Sequence, residues 1–286
     1  MTFNPTNLIL NKPIEYKDGI EIYAPKIRDI IDDNGKFNTA TTMFTLKTRE
    51  LFVRQREVDA LEESFPTMFD LIKDSEMDVT VGALFSGEKE PKALSDIMID
   101  SLCYWTKLER DSVDENGEAN GFFKTSKGKI IHVGKEWIID TQEYERFSNY
   151  IKDIVGYKNP DNLAPPITSD NKHQAWLKLY DERMRKQKRK SITWVDKVLM
   201  RSVETDSFIP FETILDMNIY VFNRMSKIVS DKEAYDVTLK QFTSGNFKMD
   251  SKSIIHWKER IKPDSFVDLA EMKEERDNEI NRRKFN

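Results

Sequence analysis

Side chains able to do chemistry are few in this chain and poorly grouped. The three histidines, His132, His173 and His256, lie far apart and form none of the short spacings with which imidazoles share a metal ion. The stretch Gly128-Lys129-Ile130-Ile131-His132-Val133-Gly134-Lys135-Glu136 approaches a phosphate-binding loop, in which glycine amides and a lysine cradle phosphate and a hydroxyl holds magnesium. It places five residues between its glycines where that loop has four, and Glu136 stands where the hydroxyl belongs. A carboxylate there repels phosphate. Asp114-Glu115-Asn116-Gly117-Glu118 is acidic, but Ala119 occupies the position at which a calcium loop needs its glycine, so a solvated turn is expected. Cys103, the only cysteine, sits in the apolar run Leu102-Cys103-Tyr104-Trp105 and reads as inert core. It excludes a disulfide framework within the chain and a cysteine-built zinc site. The sequence therefore nominates no catalytic residue, no metal ligand and no cofactor, and predicts a protein that is not an enzyme.

The elements that would position any site read as α+β and predominantly helical, with an N-terminal β-hairpin, a small three-stranded antiparallel meander in mid-chain and a helical C-terminal half. Leu8-Ile9-Leu10 and Ile20-Glu21-Ile22-Tyr23 flank Lys17-Asp18-Gly19, and Asp-Gly favours a hairpin turn. Pro25 suits the first turn of a helix carrying Ile27, Ile30 and Ile31. Ser64 is read as the N-cap of a helix through Pro66, Met68, Phe69, Leu71 and Ile72. A broad apolar stripe predicts another helix from Ser95 to Leu108. Phe122-Phe123-Lys124, Lys129 to Val133 and Trp137-Ile138-Ile139 are short β-branched and aromatic runs parted by Gly128 and Gly134, the meander. Asp140 or Thr141 then caps a helix that Gly156 ends. Three prolines within 159–169 rule out regular structure there and mark a linker between a mixed α/β domain, 1–158, and a helical domain, 170–262. In the latter, a polar helix covers about 170–190, and Phe211 to Val229 forms one apolar helix closed by a turn at Ser230-Asp231. A charged helical tail, 263–286, follows.

With 17 Phe, 9 Tyr and 5 Trp the chain is too aromatic to be disordered throughout. No apolar run approaches the ~18 residues of a membrane span, and Met1-Thr2-Phe3-Asn4-Pro5 lacks the features of a secretory signal, so a reducing cytosol is the expected site of synthesis. The whole chain is acidic, at −5, yet charge is unevenly spread. Arg183, Arg185, Lys186, Lys188, Arg189 and Lys190 put six cations into eight residues, a candidate footprint for nucleic acid or an acidic protein. The run holds no aromatic residue for base stacking, which weighs against nucleic acid. Between Glu57 and Asp78 eight acids face one lysine, and the opposite patches suit self-association or docking.

Several segments together resemble the tail assembly chaperones of long-tailed bacteriophages of Gram-positive hosts. Ile14-Glu15-Tyr16 and Ile20 to Ile31 resemble their hairpin and first helix, and Lys36-Phe37-Asn38 with Met43 to Lys47 the helix and turn that follow. Gly128 to Ile131 with Glu136 to Asp140 resembles the mid-chain meander. Ile219-Tyr220-Val221-Phe222-Asn223-Arg224-Met225 and Ile255-His256-Trp257 complete the likeness, which spans roughly residues 8 to 260. It implies a non-catalytic protein of the host cytoplasm that binds the tape-measure protein through apolar helix faces and helps the tail-tube subunit polymerise around it. Related phage proteins are structural parts of the baseplate or tail hub, which would place the chain in the virion tail. Under this resemblance Trp176, Trp194, Tyr220, Phe222 and Trp257 are the candidate contacts, since aromatic residues dominate interface energetics.

Overall fold

The computed structural model describes residues 5–86, 91–113, 117, 119–157, 167, 169–189, 192–204, 208–244, 256 and 258. Helices predominate, with two small antiparallel sheets. The hairpin pairs β1 (Ile14–Lys17) with β2 (Ile20–Ile22), and Asp18 and Gly19 take the positive φ angles, 37° and 75°, that a tight turn of this hand requires. Its first strand is Ile14–Lys17 and not the expected Leu8-Ile9-Leu10. Thr6–Ile9 instead forms a helical turn, α1, because the carbonyl of buried Leu8 is claimed by the side chain of Asn218 from across the molecule.

Among the described residues, eight helices and a second sheet follow through residue 155. They run α2 (Ile27–Asp32), α3 (Lys36–Thr45), α4 (Thr48–Leu51), α5 (Val58–Ser64), α6 (Met68–Leu71), α7 (Ser75–Ser86) and α8 (Leu94–Thr106), then the sheet, then α9 (Thr141–Val155). The cap of α6 is Thr67, whose hydroxyl and amide both engage Asp70; Ser64 is the last residue of α5. α3 lies between α8 and α9. The Trp105 indole donates to the Ala40 carbonyl at 3.2 Å, the Tyr144 hydroxyl to the Met43 carbonyl at 2.6 Å, and the Ser148 hydroxyl to the Phe44 carbonyl. Three carbonyls of one helix thus find donors on its neighbours.

The expected meander is present as β4 (Ala119–Lys124), β5 (Ile130–Val133) and β6 (Trp137–Ile139), extended at one edge by the two-residue β3 (Ser112–Val113). Phe122, Ile130, His132, Trp137 and Ile139 point inward. Asp140 caps α9 by accepting from the Glu143 amide at 3.0 Å, and Gly156 ends it at a φ of 65°.

The C-terminal half holds α10 (Asp170–Arg189), α11 (Trp194–Val203), α12 (Phe211–Leu215) and α13 (Ile219–Thr243). The single helix expected over Phe211 to Val229 is broken at 216–218, where buried Asn218 caps α13 through the Val221 amide, at 3.0 Å. Ser230-Asp231 is no turn, since α13 runs through it. Most of the Pro-rich segment and the whole of 263–286 lie outside the described residues. Across that segment the chain rejoins its beginning. The Ile27 amide donates to the Met217 carbonyl and the Ile219 amide to the Pro25 carbonyl, both at 2.9 Å. Val198, Ile214, Ile219, Tyr220 and Phe222 belong to the same hydrophobic cluster as the hairpin, α3, α8 and α9. No helix among the described residues is long and apolar enough to cross a membrane.

Candidate interaction surfaces

The aromatic residues nominated from sequence take different places. Tyr220 and Phe222, in the first turn of α13, are buried. Trp194 is half-buried, with Phe37 at 5.8 Å and Phe222 at 6.2 Å between ring centroids and the Lys197 ammonium 3.9 Å above its ring. Burial pushes the Lys197 pKa down. These three aromatics tie α11 and α13 to α3. Truncating Phe222 therefore perturbs the fold before any partner. Trp176 is half-buried on α10, stacked on Tyr180 at 5.1 Å. Trp257 lies outside the described residues.

α10 carries the basic segment. It is fixed to the loop between α4 and α5: Arg54 meets Asp181 at 2.7 Å, Arg56 meets Asp170, and the His173 ring approaches the Val53 carbonyl at 3.4 Å. At 3.6 residues per turn Asp170, His173 and Asp181 share one side, while Lys172, Trp176, Leu179, Arg183 and Lys186 follow one another along the other. The arginines thus engage Asp170 and Asp181 on the docked side of α10, while the helix's third acid, Glu182, is exposed. Arg183, Arg185 and Lys186 are exposed and find no acidic partner among the described residues. Lys188 and Arg189 complete α10, their side chains outside the described set, and Lys190 lies beyond it. Leu179 and Met184 are exposed beside these cations.

The acidic stretch behaves otherwise. Arg49, itself buried, holds Asp59 and Glu62 at 2.7 Å each. Asp70 accepts from Lys73 and caps α6, Asp74 accepts from the Glu76 and Met77 amides at the start of α7, and Asp78 takes Ser95 and Lys124. Most of what reads in sequence as an acidic patch is engaged within the chain, tying α5 to Arg49 of α4, capping α6 and α7, and joining α7 to α8 and β4.

One surface escaped the sequence reading. Val195, Leu199, Met200 and Val203 on α11, with Phe208 and Phe211 just beyond, are each between 42% and 70% exposed. The opposite side of α11 carries buried Val198, Arg201 and Ser202. Val195, Leu199 and Val203 stand at i, i+4 and i+8, a spacing visible in the sequence but indistinguishable there from a core-facing stripe. Phe208 and Phe211 make an edge-to-face pair at 5.6 Å.

Several groups with chemical potential elsewhere are already paired among the described residues. A cleft of about 720 Å³ between α3, α7 and α8 is lined by Lys36, Lys92, Asp100, Cys103, Tyr104 and Arg110, among others. Arg110 is clasped by Asp96 at 2.6 Å and Asp100 at 2.9 Å, Lys92 meets Asp100 at 3.1 Å, and the Tyr104 hydroxyl donates to Asp33 at 2.9 Å. Burial, aided by Asp100, pushes the Cys103 thiol up to about 11, which keeps it protonated and unreactive at neutral pH. The Gly128–Glu136 stretch is the end of one turn, β5 and the next turn; no helix N-terminus opens after it to receive phosphate. Its His132 is buried against Phe122. Among the described residues no three His, Cys, Asp or Glu side chains converge as metal ligands would. No protein-family model, curated protein or solved structure matches this chain.

Proposed function

We propose that this chain is a non-catalytic bacteriophage tail-morphogenesis protein that binds the tape-measure protein and assists tail-tube assembly, with α10 as the arm that makes the contact. The observation that carries the reading is the outward side of α10, on which Trp176 and Leu179 stand among Lys172, Arg183 and Lys186, cations with no acidic partner among the described residues, while Asp170 and Asp181 are held on the docked side by Arg56 and Arg54. Aromatic and aliphatic anchors ringed by charge are what a protein-binding surface uses, the anchors for affinity and the cations for approach. The resemblance of the hairpin, meander and α13 segments to tail assembly chaperones names the partner.

The test is co-expression of the tagged chain with the tape-measure protein of the same genome. Trp176→Ala combined with Leu179→Asp should lower recovery at least about tenfold, the loss of one hot-spot anchor, with an unchanged circular-dichroism spectrum. Undiminished recovery removes α10 from the interface, and no recovery with the wild-type chain removes the function. Mass spectrometry of purified virions separates a chaperone, absent from the particle, from a baseplate or hub component. One observation favours a second reading: Trp176 stacks on Tyr180 beside Lys172 and Arg183, a pairing of ring and cation that also suits single-stranded nucleic acid. Filter binding across a salt series tests it, because phosphate contacts give a steep salt slope.

A further inference from the structure

The exposed stripe on α11 is as large an apolar patch as an ordinary monomer carries, a size that commonly marks a contact surface. Val195, Leu199, Met200, Val203, Phe208 and Phe211 together offer on the order of 600 Å² of apolar surface, at the upper end of the largest patch of an ordinary monomer. A stable interface buries about 800 Å² on each partner, so the stripe supplies most of one side before any polar rim is added. We propose that this stripe is the interface between two copies of this chain, related by a twofold axis passing near Leu199.

Symmetry and charge both point to a second copy. A twofold interface is isologous: residue i of one subunit meets residue j of the other, and j meets i. The stripe reads Val195, Leu199, Val203, the same forwards and backwards about Leu199. Two α11 helices crossing antiparallel therefore set each Val195 beside the other copy's Val203 and Leu199 beside itself, with matched volumes. The i, i+4 ridge is also the one that interdigitates in the commonest helix crossing. Across the exposed arc of α11 the one charged residue is Asp196, whose carboxylate is turned back onto the Thr193 hydroxyl and amide at 2.6 and 3.2 Å as part of the helix cap. Depletion of charge at the centre of a patch marks protein interfaces in general, and homodimer interfaces are the more apolar among them. The arm α10 lies outside this face, so the inference is independent of the proposed function.

Sedimentation of the full chain over about 1 to 100 µM, the range in which an interface of this size populates a dimer, should show a species of twice 33.6 kDa. Val195→Lys with Leu199→Lys, both at exposed positions, should weaken association at least about a hundredfold while leaving the circular-dichroism spectrum and urea midpoint unchanged. Leu199→Cys in a Cys103→Ser background should form a disulfide-linked dimer on mild oxidation, and Val237→Cys, exposed on α13, should not. A full chain that stays monomeric over the whole range overturns the proposal, as does a dimer that survives the two lysines. A chain that dimerises only after residues 259–286 are deleted would assign the stripe to that segment, and so would also overturn it.

Discussion

Asp78 makes a sharp test of how the charged residues of this chain are used. Its side chain is buried in α7, with 5% of the residue exposed, and accepts from the Ser95 amide at 2.7 Å and the Ser95 hydroxyl at 2.9 Å. It also pairs with the Lys124 ammonium of β4 at 2.6 Å. The first of these bonds satisfies an amide in the opening turn of α8, where the N-cap, Ala93, makes no side-chain cap bond. Asp78 is thus a cap supplied from another helix. Asp78→Ala removes all three contacts. Losing the cap costs about 1 kcal/mol. Losing the hydroxyl's bond to a charged acceptor costs roughly 1.5–3 kcal/mol. The lysine pair, 30% exposed on the Lys124 side, adds less than about 1 kcal/mol after solvent screening. The expected destabilisation is about 3–4 kcal/mol, which lowers the Tm of a chain this size by roughly 6–12 °C. Asp78→Asn keeps an acceptor for the Ser95 amide and should lose about half as much, and Lys124→Met should stay within about 1 kcal/mol. Urea unfolding followed by far-UV circular dichroism measures all three. If Lys124→Met proves as damaging as Asp78→Ala, the ion pair and not the cap holds the junction, and the reasoning fails.

Two further substitutions probe the interior. Gly82 lets α7 cross the backbone at the start of α8; a Cβ there would stand 2.6 Å from the Ala93 carbonyl carbon and collide with Lys92 and Leu94 as well. Gly82→Ala should therefore destabilise by about 2–3 kcal/mol in a thermal melt, although an alanine ordinarily gains about 1 kcal/mol over glycine in a helix. A stabilised variant would show that the two helices can part without cost. His132 is buried against Phe122 and burial lowers its pKa, so the folded chain resists the proton that the unfolded chain accepts below about 6.5. Its contribution is complete above that pH and declines on acidification, by at most about 1.4 kcal/mol per pH unit. His132→Leu should flatten the fall in stability between about pH 6.5 and 5 relative to the wild-type chain. Parallel curves would place the acid sensitivity elsewhere.

Local signals were legible where a residue acts on its own neighbours. Asp18-Gly19 specifies a turn by its own backbone, Asp140 caps the helix it begins, and Gly156 ends the same helix in the left-handed region. Errors arise where a distant residue decides. Leu8-Ile9-Leu10 has the composition of a strand, but Asn218, 210 positions away, takes the Leu8 carbonyl. The same asparagine breaks the apolar run that reads as one helix from Phe211 to Val229. Thr67 displaces Ser64 as a cap because Asp70 reaches back to it, a box whose closing member is aspartate and not the usual glutamate or glutamine. For the candidate surfaces, periodicity locates an apolar stripe but carries no information on which side is covered. Phe222 and Leu199 look alike in the sequence, yet one is buried beside Trp194 and the other faces water.

The two charge runs show why composition alone misassigns partners. In sequence they are mirror images, which suggests that one copy's acids meet another's bases. In the fold five of the eight acids between Glu57 and Asp78 already bind side chains or amides of the same chain, and two of α10's three acids, Asp181 and Asp170, are held by Arg54 and Arg56. With those acids engaged, the bases of α10 outnumber its exposed acid, Glu182, so under the proposed function that arm favours an acidic partner over its own copy. The proposed self-association then uses a face poor in charge, the exposed arc of α11, whose Asp196 is held in the helix cap. The two contacts respond oppositely to salt. Screening weakens an approach guided by the cations of α10, over a Debye length of about 8 Å at physiological ionic strength, while burial of Val195, Leu199 and Val203 is indifferent to it. Raising the salt concentration should accordingly release the partner of α10 and leave the α11 dimer intact, and a loss of both together would mean that the two helices serve a single interface.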